Sequence, residues 1–178
     1  MNPYAVSKIA QEFTAYQYFL NSGLKVVRTR AFNHIGPGQS DIYVASNFAK
    51  QVARIEARRQ KAVLEVGNLQ VVRDFTDVRD TVEAYWQCLE KGTPGDVYNV
   101  SSGRGRKIEA MLRYYLRQSA VTIKLEKDLK RFRAVETPTL VGDARKLRRK
   151  TGWRPKISFE KTLLDILNDW RKKTKAGS

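Results

Sequence analysis

Cysteine and histidine are almost absent: one of each, Cys88 and His34, occurs in 178 residues. A lone cysteine excludes an intrachain disulfide and a cysteine-based zinc cluster within one chain, and it fits a reducing cytoplasm. No metal site is expected. Nowhere do about eighteen apolar residues run together, and Met1 to Tyr4 show no basic stretch leading into an apolar one, so the sequence predicts a soluble, unsecreted chain with no membrane segment. Acidic residues are few, 18 Asp+Glu against 34 Lys+Arg, for a formal net charge of +16. That imbalance predicts an anionic partner. Nucleic acid, an acidic membrane face and a phosphorylated small molecule all satisfy it, so charge alone does not choose among them.

What is present suffices for a folded core: 42% hydrophobic residues with 29% charged is an ordinary globular balance. Ala5, Ile9, Phe13, Tyr16 and Leu20 fall at helical spacing and predict a helix from Tyr4 to about Leu20, its first turn able to accept Pro3. Asn21-Ser22-Gly23 stops it, and Lys25 to Arg30 reads as a short β-branched strand. Asn33 to Ser40 is loop. A second helix carries Val44, Phe48, Val52 and Ile55 on one face. Val63 to Val66 and the stretch around Val71-Val72 read as strands; Val78, Val82, Tyr85, Trp86 and Leu89 mark a helix ended by Gly92, and Val97 to Val100 is the next strand. Lys107 to Gln118 is helical, Val121 to Leu125 alternates like a half-buried strand, and a basic loop runs from Glu126 to about Pro138. A last helix buries Phe159, Leu163, Ile166, Leu167 and Trp170, with Arg171, Lys172, Lys173 and Lys175 near its end, where cations suit the helix dipole. Trp86, Trp153 and Trp170 are expected in the core, and Cys88 as a small buried residue. This alternation predicts an α/β architecture with a largely parallel sheet. Only the strands near Val26 and Val97 look central, so the sheet is expected to continue outside this chain.

Tyr4 and Lys8 stand four apart at a helix start, which puts both side chains on one face about 6 Å apart. An ammonium beside a phenol favours the phenolate, and such a pair can exchange a proton with a sugar hydroxyl or carbonyl. The spacing alone is commonplace; its surroundings are not. Asn2-Pro3-Tyr4-Ala5-Val6-Ser7-Lys8 resembles the Tyr-x-x-x-Lys segment of the extended short-chain dehydrogenase/reductases that modify nucleotide sugars. Arg30-Ala31-Phe32-Asn33-His34-Ile35-Gly36-Pro37-Gly38 resembles the family segment that passes under the nicotinamide. Val66-Gly67-Asn68-Leu69 with Val72-Arg73-Asp74-Phe75-Thr76-Asp77-Val78-Arg79-Asp80 resembles its nucleotide-phosphate segment. Arg131-Phe132-Arg133, Glu136, Gly142-Asp143 and Gly152-Trp153-Arg154-Pro155 resemble its carboxy-terminal signature. Essentially the whole chain is covered, and the wording is closest to the GDP-mannose 4,6-dehydratases and GDP-4-keto-6-deoxymannose reductases, with Phe-Asn-His-Ile-Gly-Pro-Gly-Gln leaning to the reductases.

The resemblance implies roles. Tyr4 would be the general acid or base, and Lys8 would promote its ionisation and bond the nicotinamide ribose of NAD or NADP. Phe32, Asn33, His34 and Ile35 would line the cofactor site, His34 and Ile35 largely through backbone. Asn33 would also face the sugar and its phosphate. Asn47, Asn68, Arg73, Arg133 and Glu136 would hold the GDP-sugar: guanidinium forks suit phosphate oxygens, and a glutamate can accept from ribose hydroxyls. Plainer readings stand beside these, with His34 as a packing or surface residue and Arg73 paired with Asp77. The resemblance also implies that residues 1–42 complete a Rossmann-like domain, that 43–178 form mainly a sugar-nucleotide lobe, and that 76–102 return to the Rossmann-like sheet.

The phosphate-cradling Gly-x-x-Gly-x-x-Gly turn of the family is absent, because Gly103-Arg104-Gly105 has the wrong spacing. The chain is therefore expected to be the carboxy-terminal part of the enzyme, inactive alone, working with a complementary amino-terminal chain and prone to form homo-oligomers through an uncovered sheet. A non-catalytic sugar-nucleotide-binding module is the alternative reading. A basic nucleic-acid binder is the third, resting on charge alone. The clusters Arg54, Arg58, Arg59 and Lys61; Lys127, Lys130, Arg131 and Arg133; and Arg145, Lys146, Arg148, Arg149 and Lys150 leave more positive charge than a GDP-sugar requires.

Overall fold

Helix α1 (Pro3–Ser22) turns at Gly23 into strand β1 (Arg28–Ala31), which pairs in parallel with β5 (Val97–Val100), Arg28 opposite Val97 and Ala31 opposite Val100. These positions come from a computed structural model, which describes residues 3–129 and 137–177. Phe32 still belongs to the first pairing, its N–H donating to the Val100 carbonyl at 2.9 Å. The next residue opens β2 (Asn33–Ile35), which pairs in parallel with β4 (Val72–Asp77) in a second sheet, Asn33 opposite Phe75. The chain thus changes sheets across one residue.

Strand β4 is the hub of that second sheet. It also holds β6 (Gly105–Lys107) antiparallel and β8 (Thr139–Leu140) parallel. A third pairing joins β3 (Val63–Val66) to β7 (Lys124–Lys127) in parallel. Helices α2 (Val44–Glu56), α4 (Ile108–Gln118) and α6 (Phe159–Lys175) pack together over the larger core, in which Phe48, Val52, Leu64, Met111, Leu112, Leu163 and Leu167 interlock. Helices α3 (Val78–Lys91) and α5 (Arg145–Thr151) close a smaller core against β5 around Cys88, Tyr98, Val100, Leu147 and Trp153. Burial pushes the Cys88 thiol up to about 11, which makes it a packed apolar group rather than a nucleophile.

Three carboxylates, evenly spaced in the Val72 to Asp80 segment, tie these parts together. Asp74, fully buried, accepts from the backbone N–H of Ser102 (2.9 Å), Gly103 (2.8 Å) and Gly142 (3.2 Å) and from the Ser102 hydroxyl. Asp77 caps α3 by accepting from the Arg79 N–H, receives Nε and Nη2 of the same arginine at 2.8 Å, and takes the Thr162 hydroxyl of α6 at 2.7 Å. Asp80 accepts from the N–H groups of Lys156 and Ile157 at 3.0 and 2.9 Å. The β4–α3 corner therefore holds the β5–β6 turn, the loop before α5 and the entry to α6.

Several expectations from the sequence change. The first strand begins at Arg28 rather than Lys25, because Val26 closes a turn on the Leu24 carbonyl. The alternating stretch Val121 to Leu125 forms its strand at Lys124–Lys127, exposed throughout, since β3 is its only partner among the described residues. Helix α5, which in the sequence shows only as a basic cluster, buries Leu147 and Thr151, and it ends on Gly152 in the left-handed region at φ 77°. Trp86 is 57% exposed rather than core, with Val82 and Leu89 beside it, while α3 buries Asp80, Thr81, Ala84 and Cys88. Helix α1 buries no residue. Lys107, the N-cap of α4, makes no side-chain capping bond.

Replacing Asp74 by Ala leaves three backbone N–H groups, in two segments, without an acceptor and should cost at least about 3 kcal/mol of stability, read from the shift in urea midpoint. The exposed Arg113→Ala control should stay within about 0.5 kcal/mol. For Asp77, burial opposes ionisation but the bonds from Arg79 and Thr162 outweigh it, holding the carboxyl below its ordinary 3.8. A depressed carboxylate stabilises the fold above its ordinary value and loses that contribution as pH falls through the depressed one. Unfolding midpoints should therefore decline as pH falls below about 4, and less steeply in Asp77→Asn.

Candidate active site

The helix that carries Tyr4 and Lys8 is held from one side. Glu12 receives Nε and Nη2 of Arg30 at 2.8 and 2.7 Å, and the Arg28 guanidinium lies 3.5 Å from the same carboxylate. The bond from Arg30 keeps the Glu12 carboxyl below its ordinary value. Arg28 also lies over the Tyr16 ring, 4.0 Å from its centroid. Gly95 supplies the remaining contact: a Cβ there would meet the Phe19 ring at 2.4 Å, and its φ of 83° suits glycine. Both arginines belong to β1, so α1 is pinned to the parallel strand pair by a charge cluster and two aromatic rings.

At the amino-terminal end of α1, Tyr4 is 70% exposed and Lys8 is exposed beside it, its ammonium 6.0 Å from the Tyr4 ring centroid. The ammonium donates to Gln11 at 3.1 Å, while the Ser7 hydroxyl donates to the Tyr4 carbonyl at 2.8 Å. The two functional groups are one helical turn apart on an open face, an arrangement able to present a phenol and an ammonium to one ligand.

The Phe32 to Ile35 segment divides by side. The Phe32 ring lies against Gly142, where a Cβ would approach it to 2.7 Å, and the Ile35 side chain is in the larger core. Asn33 and His34 are exposed; His34 Nδ1 lies 3.2 Å from the Phe32 carbonyl, and the His34 carbonyl accepts from Gln39. The parallel register that sets Asn33 opposite Phe75 puts Asn33 and Arg73 on one face of adjacent strands, about 8 Å apart.

Arg73 sends Nη1 to the carbonyls of Val72 and Thr137, both at 2.8 Å. It is not paired with Asp77, which stands four residues on along an extended strand, about 13 Å away, and is taken by Arg79 and Thr162. Asn47 on α2 donates to the Asp41 carbonyl and accepts from Gln51, and Asn68 accepts from the Gln70 N–H. Arg133 and Glu136 lie outside the described residues. The structure thus brings Asn33 and Arg73 to adjacent strands, leaves Tyr4 and Lys8 on the open face of α1, and engages Asn47 and Asn68 in local bonds. Sequence reasoning did not assign Asp74, Asp77 and Asp80 their roles as anchors; their three-residue spacing through one strand-to-helix junction was the available signal.

The fold is that of the Rossmann-like short-chain dehydrogenase/reductases. It superposes on RMD from Pseudomonas aeruginosa complexed with NADPH with a TM-score of 0.92 at 39% identity, covering 97% of this chain and 57% of that one. On the UDP-glucose 4-epimerase of Thermus thermophilus in complex with NAD the TM-score is 0.80 at 27% identity, covering 96% and 54%. In sequence the chain is 40% identical over 174 residues to the GDP-6-deoxy-D-mannose reductase of Pseudomonas aeruginosa, 98% of this chain and 57% of that protein. It is 33% identical over 170 residues to GDP-mannose 4,6 dehydratase 2 of Arabidopsis thaliana, 94% and 45%. The GDP-mannose 4,6 dehydratase family profile matches residues 1–166, and the chain belongs to that family. It spans about half the length of the curated relatives it matches.

Glu12→Gln should leave Arg28 and Arg30 without their carboxylate and loosen α1. Amide exchange across Pro3–Ser22 should quicken by about tenfold while β5 and α3 keep their protection.

Proposed function

We propose that this chain supplies the proton-transfer pair and the sugar-nucleotide lobe of an NAD(P)-dependent enzyme acting on GDP-sugars, a GDP-4-keto-6-deoxymannose reductase before a dehydratase. The observation that supports this most is the Tyr4–Lys8 pair standing open on α1 in a chain 40% identical, over 98% of its length, to a GDP-6-deoxy-D-mannose reductase, against 33% for a dehydratase. On this reading residues 1–42 complete a Rossmann-like domain, 43–178 are mainly the sugar-nucleotide lobe, and 76–102 return to the Rossmann-like sheet.

The donor set fits a nicotinamide dinucleotide: an exposed ammonium and an exposed phenol one helical turn apart suit ribose hydroxyls, and the backbone of Phe32 to Ile35 offers polar groups at the strand end. When bound, that cofactor supplies hydride transfer. Tyr4 donates a proton to the sugar oxygen as the carbonyl carbon is reduced. Lys8 exchanges its bond with Gln11 for one to the ribose and stabilises the phenolate left behind. Asn33 orients the sugar, Asn47, Asn68 and Arg73 hold the nucleotide and diphosphate, and Arg133 and Glu136 complete that set.

Turnover needs more than these residues. These residues have no Gly-x-x-Gly-x-x-Gly turn, so the cofactor pyrophosphate is held by groups outside them. A second copy covers the apolar residues left open on α1 and α3, among them Phe13, Val82, Trp86 and Leu89. Among the described residues no helix is long and apolar enough to cross a membrane, and the reading places the enzyme in the cytoplasm.

The test is calorimetry and activity on the same preparation. The chain should bind GDP but not NADPH, and Arg73→Ala should weaken GDP binding by at least about tenfold. Reduction of the GDP-4-keto-6-deoxy sugar should occur only after the amino-terminal half of a relative is added, and not with Tyr4→Phe. GDP binding without rescue by any amino-terminal half would favour a binding module. Turnover by the chain alone would overturn the requirement for a complement, and absence of GDP binding would overturn the nucleotide lobe.

A further inference from the structure

A cleft of about 370 Å³ opens beside the amino terminus of α6, on the β6 edge of strand β4. The cations Arg104, Arg106, Arg148, Arg154 and Lys156 line it, against two carboxylates, Asp77 and Glu160. Asp77 is already neutralised by Arg79 and held by Thr162. The cations are largely unspent. Arg148 gives Nη2 to the Ser102 carbonyl while its Nε is buried without a partner, and Arg106 lies 5.4 Å over the Phe159 ring. Among the described residues, the side chains of Arg104, Arg154 and Lys156 enter no ion pair.

Two further features suit a phosphate there. The floor carries Thr76, 4% exposed, whose buried hydroxyl has no hydrogen-bond partner. The mouth is the start of the seventeen-residue helix α6, whose first backbone N–H groups and dipole favour negative charge. Ile35, Phe75, Pro155 and Phe159 add an apolar wall, and the volume lies in the range of small-molecule pockets.

We infer that this cleft is a second anion site, taking a phosphorylated small molecule whose phosphate sits among Arg104, Arg148, Arg154 and the α6 amino terminus and whose body rests on the apolar wall. It is separate from the proposed GDP site. Arg73 turns to Thr137 on the β8 edge of β4, whereas the cleft opens on the β6 edge, about 10 Å across the sheet. Of the described residues assigned to cofactor or sugar, only Ile35 reaches the cleft, as part of its wall. The site also accounts for part of the positive charge that a GDP-sugar leaves unused.

The test uses inorganic pyrophosphate in the full chain carrying Arg73→Gln, so that its outcome does not depend on the GDP site. At about 0.15 M salt, where exposed charges are screened beyond about 8 Å, calorimetry should detect saturable binding. Adding Arg104→Gln with Arg154→Gln, both exposed side chains without ion pairs, should weaken it at least about tenfold. Glu160→Gln should tighten it about threefold by removing the one carboxylate of the cleft that, among the described residues, enters no ion pair. A nucleoside monophosphate should bind more tightly than pyrophosphate if the wall takes the body. No saturable binding, or affinity unchanged by the double substitution, would overturn the site. Binding of single-stranded RNA in preference to both probes, weakening steeply with salt, would replace the small-molecule site with a nucleic-acid surface.

Discussion

The corner at which β4 becomes α3 carries the constraint on which the remaining structure rests. A buried carboxylate must find donors for its oxygens or forfeit several kcal/mol, and Asp74, Asp77 and Asp80 find theirs in segments far along the chain. Each bond is satisfied only when the β5–β6 turn, the Gly142 loop and the approach to α6 are in place, so the carboxylates act as a geometric gauge for the carboxy-terminal half. Arg73 sits immediately before the first of them. Its guanidinium is aimed by a strand whose next residue cannot shift without leaving three backbone N–H groups unanswered, which is how a surface cation comes to hold one position.

The sequence was legible where hydrophobic period and burial coincide. Phe48, Val52 and Ile55, or Leu163, Ile166 and Leu167, repeat at helical spacing and do meet in the core. The same spacing misled on α3, where Val82, Trp86 and Leu89 form an apolar stripe that faces outward while the buried face is built from Thr81, Ala84 and Cys88. Periodicity reports that a face is apolar, not what covers it. Helix α5 escaped for the opposite reason: seven residues dense in Lys and Arg show no stripe, and only Leu147 and the glycine that ends the helix betray it. At the candidate site, residues of the family motif could be named from the sequence, but not their occupations. That Asn47 is bonded to Asp41 and Gln51, or Lys8 to Gln11, depends on side-chain directions that spacing does not contain.

Charge shows the same division. A net charge of +16 looks like a diffuse basic surface, yet much of it is spent inside the molecule: Arg28 and Arg30 on Glu12, Arg79 on Asp77 and Asp165, Arg171 on Glu56. What remains is uneven. Unpaired guanidinium groups gather beside the α6 amino terminus because the β5–β6 turn and the α5–α6 connection, two short basic stretches distant in sequence, are drawn together by Asp74 and Asp80. Internal anchoring by acidic residues thus concentrates the basic ones.

Strand β1 and strand β2 are joined by Phe32 alone, with its N–H tied to one sheet and the following residue already laddered into another. A connection of that length has no slack. The sheet that carries α1 and the sheet that carries Asn33 and Arg73 are joined a second time where β5 runs through Ser102 and Gly103 into β6, and that turn is bonded to Asp74, so the two neither slide apart nor swing about the Phe32 backbone. Groups presented from the two sheets therefore keep both one register and one angle, set by a single-residue crossing on one side and a carboxylate-bonded turn on the other.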